Sequence, residues 1–176
     1  TALEQFLHPR LKHLAEPFLL PDMDRAIARL LTARERGDSL VIFGDYDVDG
    51  VTSSTLLLQV LRALGWQASS YLPHRMDEGY GLSQDAVENC LKKFPTTLLL
   101  AVDCGSTAVD TIGWLKQRGV DVIVLDHHQV SSPAPEAVAL VNPQVGVQAL
   151  ACPLSEAEQP KGWTPTFTEL CSAGLA

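Results

Sequence analysis

The sequence predicts an α/β fold: a parallel sheet with helices on both faces. Two observations carry this expectation. Short, continuous apolar runs such as Leu40-Val41-Ile42-Phe43 alternate with segments whose apolar residues recur at helical spacing, and the links between them are short. A run that is apolar at every position, not every second one, marks a strand buried on both faces, as strands of parallel sheets are. Right-handed crossovers are expected throughout.

The elements follow in order. Met23, Ile27, Leu30 and Leu31 recur at helical spacing, with Asp22 as the expected N-cap and Gly37 as the stop. After the strand 40–43 and a turn from Gly44 to Gly50, a helix is expected from Val51 to Leu64. Its inward residues would be Leu56, Leu57, Val60, Leu61 and Leu64, with Gly65 closing it. Trp66 to Leu72 reads as the next strand, and Pro73 to Gly81 as a polar loop. A helix from about Ser83 to Lys93, a strand from Thr97 to Val102 and a helix presenting Val109, Ile112 and Leu115 come next. Val120 to Leu125 is the last expected strand. Residues 145–166, rich in proline and polar residues, read as a linker, and 167–176 as the start of a further helix.

Composition limits the function. At 176 residues there is room for one well-buried domain, and 46% hydrophobic with 19% charged residues is ordinary for a globular chain. No apolar run approaches the roughly 18–20 residues needed to cross a bilayer, so no membrane role is expected. Cys90, Cys104, Cys152 and Cys171 form no C-x-x-C pair, which argues against a thiolate zinc site and a disulfide framework and suits a reducing cytoplasm. The net charge of −8 is the wrong sign for binding nucleic acid by surface charge alone. Either bound cations neutralise the acidic groups, or another part of the protein holds any polyanion. The sequence opens without Met and stops just after an apolar run begins, so a fragment of something longer is expected.

The chemistry is expected at strand ends. Asp45, Asp103 and Asp126 each fall at or just after the carboxyl end of an expected parallel strand, where open α/β sheets bind ligands. Asp47, Asp49, His127 and His128 join them around one crevice. So many carboxylates would repel or stay protonated unless cations intervene. Oxygen donors suit Mg²⁺ or Mn²⁺, and imidazoles move the balance toward Mn²⁺. Two such cations about 3.5–4 Å apart can hydrolyse a phosphate ester. Each Asp singly is also common turn chemistry. Asp45-x-Asp47-x-Asp49-Gly50 resembles the start of a calcium loop, but the twelfth position, where a Glu is needed, is Leu56. A receiver-like signalling domain also clusters carboxylates at strand ends. It would need a Lys at a later strand end, and none is found there.

Gly44-Asp45-Tyr46-Asp47-Val48-Asp49-Gly50, Val102-Asp103-Cys104-Gly105 and Val124-Leu125-Asp126-His127-His128 resemble the first three motifs of the DHH phosphoesterase superfamily, whose domain is Rossmann-like. Several flanking segments are similar to its RecJ branch of single-stranded-DNA exonucleases. These are Phe18 to Met23, Pro73-His74-Arg75 with Glu78-Gly79-Tyr80-Gly81, Leu140-Val141-Asn142-Pro143 and Ala173-Gly174. The resemblance covers about residues 6–144 and implies a DHH domain over 1–144. It implies 5′→3′ hydrolysis of single-stranded DNA with two divalent cations, Mn²⁺ or Mg²⁺, in recombination and repair. By position, Asp45, Asp47, Asp49, Asp103 and His127 would be metal ligands, with Asp103 bridging. His128 would contact the scissile phosphate or support the site, Asp126 would orient a histidine, and Arg75 and Tyr80 would bind substrate.

The family's fourth motif supplies another metal-binding Asp, yet no Asp occurs between Asn142 and Ala176. That ligand, a second domain with a glycine-rich motif and any oligonucleotide-binding fold would be C-terminal to this sequence. A single-strand-binding protein or a helicase are candidate partners. Two alternatives stay open: a phosphodiesterase or pyrophosphatase of the same superfamily acting on small nucleotides or oligoribonucleotides, and a non-catalytic binding module.

Overall fold

The structure, a computed structural model, describes residues 16–145 continuously and residues 4, 7, 8, 10, 171 and 174 besides. The linker expected over 145–166 and the helix expected from 167 lie almost wholly outside the described residues. Five parallel strands form one sheet: β1 (Leu40–Gly44), β2 (Ala68–Tyr71), β3 (Leu98–Val102), β4 (Asp121–Leu125) and β5 (Ala139–Val141), in the spatial order β2-β1-β3-β4-β5. The chain moves from β1 to β2 on one side, then returns across β1 to place β3 on the other. That reversal opens a crevice between the carboxyl ends of β1 and β3, the place where such sheets receive ligands.

Helices cover both faces, as expected. On one face α1 (Met23–Arg36) and α2 (Val48–Ala63) pack Met23, Ala26, Ala33 and Leu61 on Leu40, Ile42, Leu98, Leu100 and Ile123. On the other, α4 (Gln84–Lys93) and α5 (Val109–Gln117) pack Val87, Cys90, Ile112 and Leu115 on Val41, Phe43, Leu99, Val122 and Val124. Alternate residues of β1, β3 and β4 thus serve different cores, which is why these central strands read as apolar runs, while the edge strand β2 (Ala-Ser-Ser-Tyr) is only half-buried.

α1 ends as expected: Gly37 takes the left-handed conformation and its N–H reaches the carbonyls of Ala33 and Arg34. Asp22 holds the expected N-cap position, its carbonyl accepting the Ala26 N–H at 2.9 Å, but its φ of +56° is left-handed and its side chain does not cap. Its carboxylate instead accepts the Leu140 N–H at 3.0 Å and pairs with Arg25 at 3.1 Å. The sheet's outer edge at β5 offers that N–H, which takes the Asp22 carboxylate in place of the N–H groups of the helix's own first turn.

α2 corrects a second expectation. Leu56, Val60 and Leu64 are exposed at 43, 46 and 53%, while Gly50, Ser53, Ser54 and Leu61 face inward. The helix starts so near the sheet that only small residues fit. A Cβ on Gly50 would lie 2.6 Å from the Asp45 backbone nitrogen, and one on Gly44 would overlap the Ser54 hydroxyl. That contact sets the rotation of the helix, and the leucines three turns on follow from it. The expected loop 73–81 contains one turn of helix, α3 (Arg75–Glu78). β5 was not expected at all: three residues behind a proline-containing loop are too short for a pattern to declare itself.

Candidate metal centre

Asp45 follows β1 and is fully buried. Its Oδ1 accepts the Tyr46 N–H at 2.7 Å, and its Oδ2 accepts no hydrogen bond among the described residues. Burial pushes its pKa up; the Asp47 charge adds to this, and hydrogen bonding from the Tyr46 N–H opposes it. Asp47 caps α2, its Oδ1 accepting the N–H groups of Asp49 and Gly50 at 3.0 Å each. The bond from Gly50 leads in holding its pKa below the usual carboxylate range.

Asp103 follows β3 and is 1% exposed, with φ at +62°, a conformation that non-glycine residues adopt mainly where surroundings enforce it. Its N–H is committed to the Leu125 carbonyl at 3.0 Å. The next residue but one, Gly105, has φ at +110° and lies where a Cβ would press on Val124 at 3.1 Å. The backbone therefore folds tightly over β4 and turns Asp103 into the crevice.

Asp126 follows β4 and is likewise buried. It accepts four bonds: from Ser106 N at 3.0 Å, His127 N at 2.7 Å, His128 N at 3.2 Å and His128 Nδ1 at 2.7 Å. Burial works to raise its pKa, but the bonds from Ser106 and His128 outweigh it and the net direction is down. For His128 burial works the other way, and the Asp126 bond and charge win, raising its pKa. A carboxylate this saturated orients an imidazole and has little left to offer a cation. His127 Nε2 stands 3.4 Å from Asp103 Oδ1 and 3.7 Å from Asp49 Oδ2, and the two imidazole rings are 4.4 Å apart.

The structure therefore brings Asp45, Asp47, Asp103, His127 and His128 together in two overlapping sets, while Asp49 and Asp126 belong to neither. Ligand-type atoms of Asp45, Asp47 and Asp103 lie within 4.8 Å of one another, and so do those of Asp103, His127 and His128. Asp103 belongs to both. These donors fit divalent cations: hard oxygens with imidazole, and at Asp45 a buried carboxylate oxygen with no hydrogen bond to compensate its desolvation. Tyr80 is 64% exposed beside the cluster, its ring edge-on to Tyr46 at 6.1 Å, and the Arg75 guanidinium sits 5.1 Å from the same Tyr46 ring. Burial and the charges of Asp45, Asp103 and Asp47 raise the Tyr80 pKa, which keeps its hydroxyl protonated. On the far side a cleft of about 510 Å³ is lined by Tyr80, Ser83, Cys104, Thr107, Asp126 and His128.

Three supporting residues escaped the reading of the sequence. Buried Asn142 donates to Ser106 Oγ and to the His128 carbonyl, each at 2.8 Å, tying the end of β5 to both the second and third motifs. Ser106 supplies the N–H held by Asp126. Tyr46 braces Arg75 and Tyr80. Only the Asn142-Pro143 pair stood out in the sequence, without a role.

Comparison with known proteins agrees with this geometry. The model of the DHH family, N-terminal domain, matches residues 39–157. The single-stranded-DNA-specific exonuclease RecJ of Bacillus subtilis is 34% identical over 97% of this chain, and that of Haemophilus influenzae 38% identical over 77%. The chain spans 20% and 24% of their lengths. A crystal structure of exonuclease RecJ bound to manganese superposes with a TM-score of 0.66 at 34% identity, covering 88% of this chain and 38% of that one. RecJ of Thermus thermophilus in complex with Mn²⁺ gives 0.64 at 28% identity over 96% of this chain and 21% of that one. Among the described residues no helix is long and apolar enough to cross a membrane. With the family model running from β1 past β5 and the relatives agreeing over most of the chain, the protein belongs to the DHH family.

Proposed function

We propose that this chain is the metal-binding part of a 5′→3′ exonuclease acting on single-stranded DNA in recombination and repair. The observation that carries the reading is Asp103, one buried carboxylate common to two donor sets. In this reading Asp45, Asp47, Asp49, Asp103 and His127 hold two divalent cations, Mn²⁺ by preference and Mg²⁺ otherwise. Bound there, the cations would supply Lewis acidity and lower the pKa of water. Hydrolysis adds hydroxide from water to phosphorus, breaks one P–O bond and returns a proton to the leaving oxygen. With Asp126 accepting from Nδ1, His128 keeps Nε2 as its atom for the phosphate. Arg75 offers a planar fork to a 5′ phosphate, and Tyr80 a ring for the adjoining nucleotide.

Residues 1–144 form the DHH domain of this proposal, and the remaining ligand and the covering domain come from C-terminal parts of the complete protein. The relatives' names support the substrate, since they are single-stranded-DNA-specific exonucleases. Placement of Arg75 and Tyr80 beside the cluster favours a polynucleotide end over a small nucleotide. The test is the complete protein on 5′-labelled single-stranded DNA and on a cyclic dinucleotide, with Mn²⁺. Stepwise release from the 5′ end is expected, and Asp103→Ala should lower the rate by at least about 10²–10³-fold with the circular dichroism unchanged. Faster turnover of the dinucleotide, or near-normal activity in Asp103→Ala, would overturn the reading.

A further inference from the structure

Outside the acidic cluster, the half-buried Glu78 joins three elements. It ends α3, and its side chain accepts hydrogen bonds from the Tyr71 hydroxyl at the end of β2, from the His74 N–H at 2.7 Å and from Asn89 Nδ2 on α4 at 2.7 Å. Its backbone carbonyl accepts from Ser83 Oγ at 2.6 Å. α3 itself is one turn long, buries none of its residues and is followed by Gly79 and Gly81, both at positive φ. A single turn has no stability of its own, because nucleating a helix costs more than its first bonds return. Its position is therefore set by what Glu78 holds. Arg75 begins this turn and Tyr80 follows it, so both inherit their placement from the same carboxylate.

We propose that Glu78 is a positioning residue, fixing the α3 turn so that Arg75 and Tyr80 stand beside the acidic cluster to receive a 5′ end; this rests on the nucleic-acid reading above. Glu78 touches no substrate in this role. Its partners come from three sides: β2 through Tyr71, the entry to α3 through His74 and α4 through Asn89. Tyr71 is in turn stacked on buried Phe43 of β1, with ring centroids 5.6 Å apart, so the clamp is anchored to the strand that carries Asp45.

The experiment compares kcat and KM of the complete protein on 5′-phosphorylated and 5′-hydroxyl single-stranded DNA, for wild type, Glu78→Ala, Arg75→Ala and the double variant. Glu78→Ala should cut the 5′-phosphate preference by about tenfold, through KM, with kcat at saturation within about twofold. In the Arg75→Ala background it should remove no further 5′-phosphate preference, since the phosphate-binding group is gone, and any loss through Tyr80 should fall equally on both substrates. A pair of milder changes, Tyr71→Phe with Asn89→Ala, removes two of the three donors while keeping the ring stack. It should shift the preference the same way and decides the matter if Glu78→Ala does not fold. Loss of preference in Arg75→Ala but not in the Glu78 or Tyr71/Asn89 variants overturns the positioning role alone. An unchanged preference in Arg75→Ala overturns the assignment of Arg75, and this one with it.

Discussion

Replacing Asp45 by Asn should make the metal-free protein more stable and the Mn²⁺-loaded protein relatively less so. The side chain is fully buried, one oxygen accepts no hydrogen bond among the described residues, and Asp47 and Asp103 lie close by. A buried charged group left unsatisfied costs the folded state roughly 1–3 kcal/mol. Asn keeps the acceptor for the Tyr46 N–H, removes the charge and turns the orphaned oxygen into a donor facing carboxylates. In EDTA the variant should therefore melt higher, by about 3–10 °C for a domain of this size. Saturation with Mn²⁺ at about 100 times its Kd adds about 2.7 kcal/mol to the wild type, and a weakened site adds far less, so the gap should close or reverse. The pH dependence has a definite sign. Burial raises the Asp45 pKa, so the native state takes up a proton before the unfolded chain does, and the folded state loses stability as pH rises through that raised value. The advantage of Asp45→Asn in EDTA should thus be larger above that raised value than below the ordinary value of 3.8. Thermal melts followed by circular dichroism, with EDTA and with Mn²⁺, read all of this. A variant less stable than wild type in EDTA, with equal Mn²⁺ gains in both, would refute the electrostatic account of the site.

Gly50→Ala should cost about 1–3 kcal/mol and weaken Mn²⁺ binding, because the added carbon meets the Asp45 backbone; an unchanged urea midpoint would contradict that contact. The opposite pH sign is expected at Glu78, whose pKa falls because hydrogen bonds from Tyr71, His74 and Asn89 outweigh its desolvation. Its contribution is present above the ordinary value of 4.5 and is lost as pH falls through the lowered one. The stability gap between wild type and Glu78→Gln should accordingly narrow in acid, and a gap that holds constant down to full protonation would dismiss the network.

The sheet could be read from the sequence because each buried strand is apolar throughout, and the site because each acidic motif begins where such a run stops. Asp45, Asp103 and Asp126 needed only that rule to be placed together. What escaped was decided by contacts between distant residues. The inward face of α2 depends on how near Gly50 approaches Asp45, and no spacing of leucines reports that distance. Asp22 has the residue type and position of a cap, but an edge-strand N–H at Leu140 takes its carboxylate. Likewise, Glu78 looks like one more loop acid until the fold brings Tyr71 and Asn89 to it. Local patterns carry elements, and partners far along the chain decide what each polar side chain does.

Asp103, after β3, belongs to both donor sets; its neighbours in one follow β1 and its neighbours in the other follow β4. Asp45 and Asp47 share the loop after β1, but Asp103 meets them only when β1 and β3 are aligned side by side, which makes that encounter a non-local event in folding. In the absence of a cation that alignment gathers negative charge and works against itself. A divalent ion present during folding would remove the penalty at the moment it arises, so refolding in Mn²⁺ completes with less opposition than refolding in EDTA.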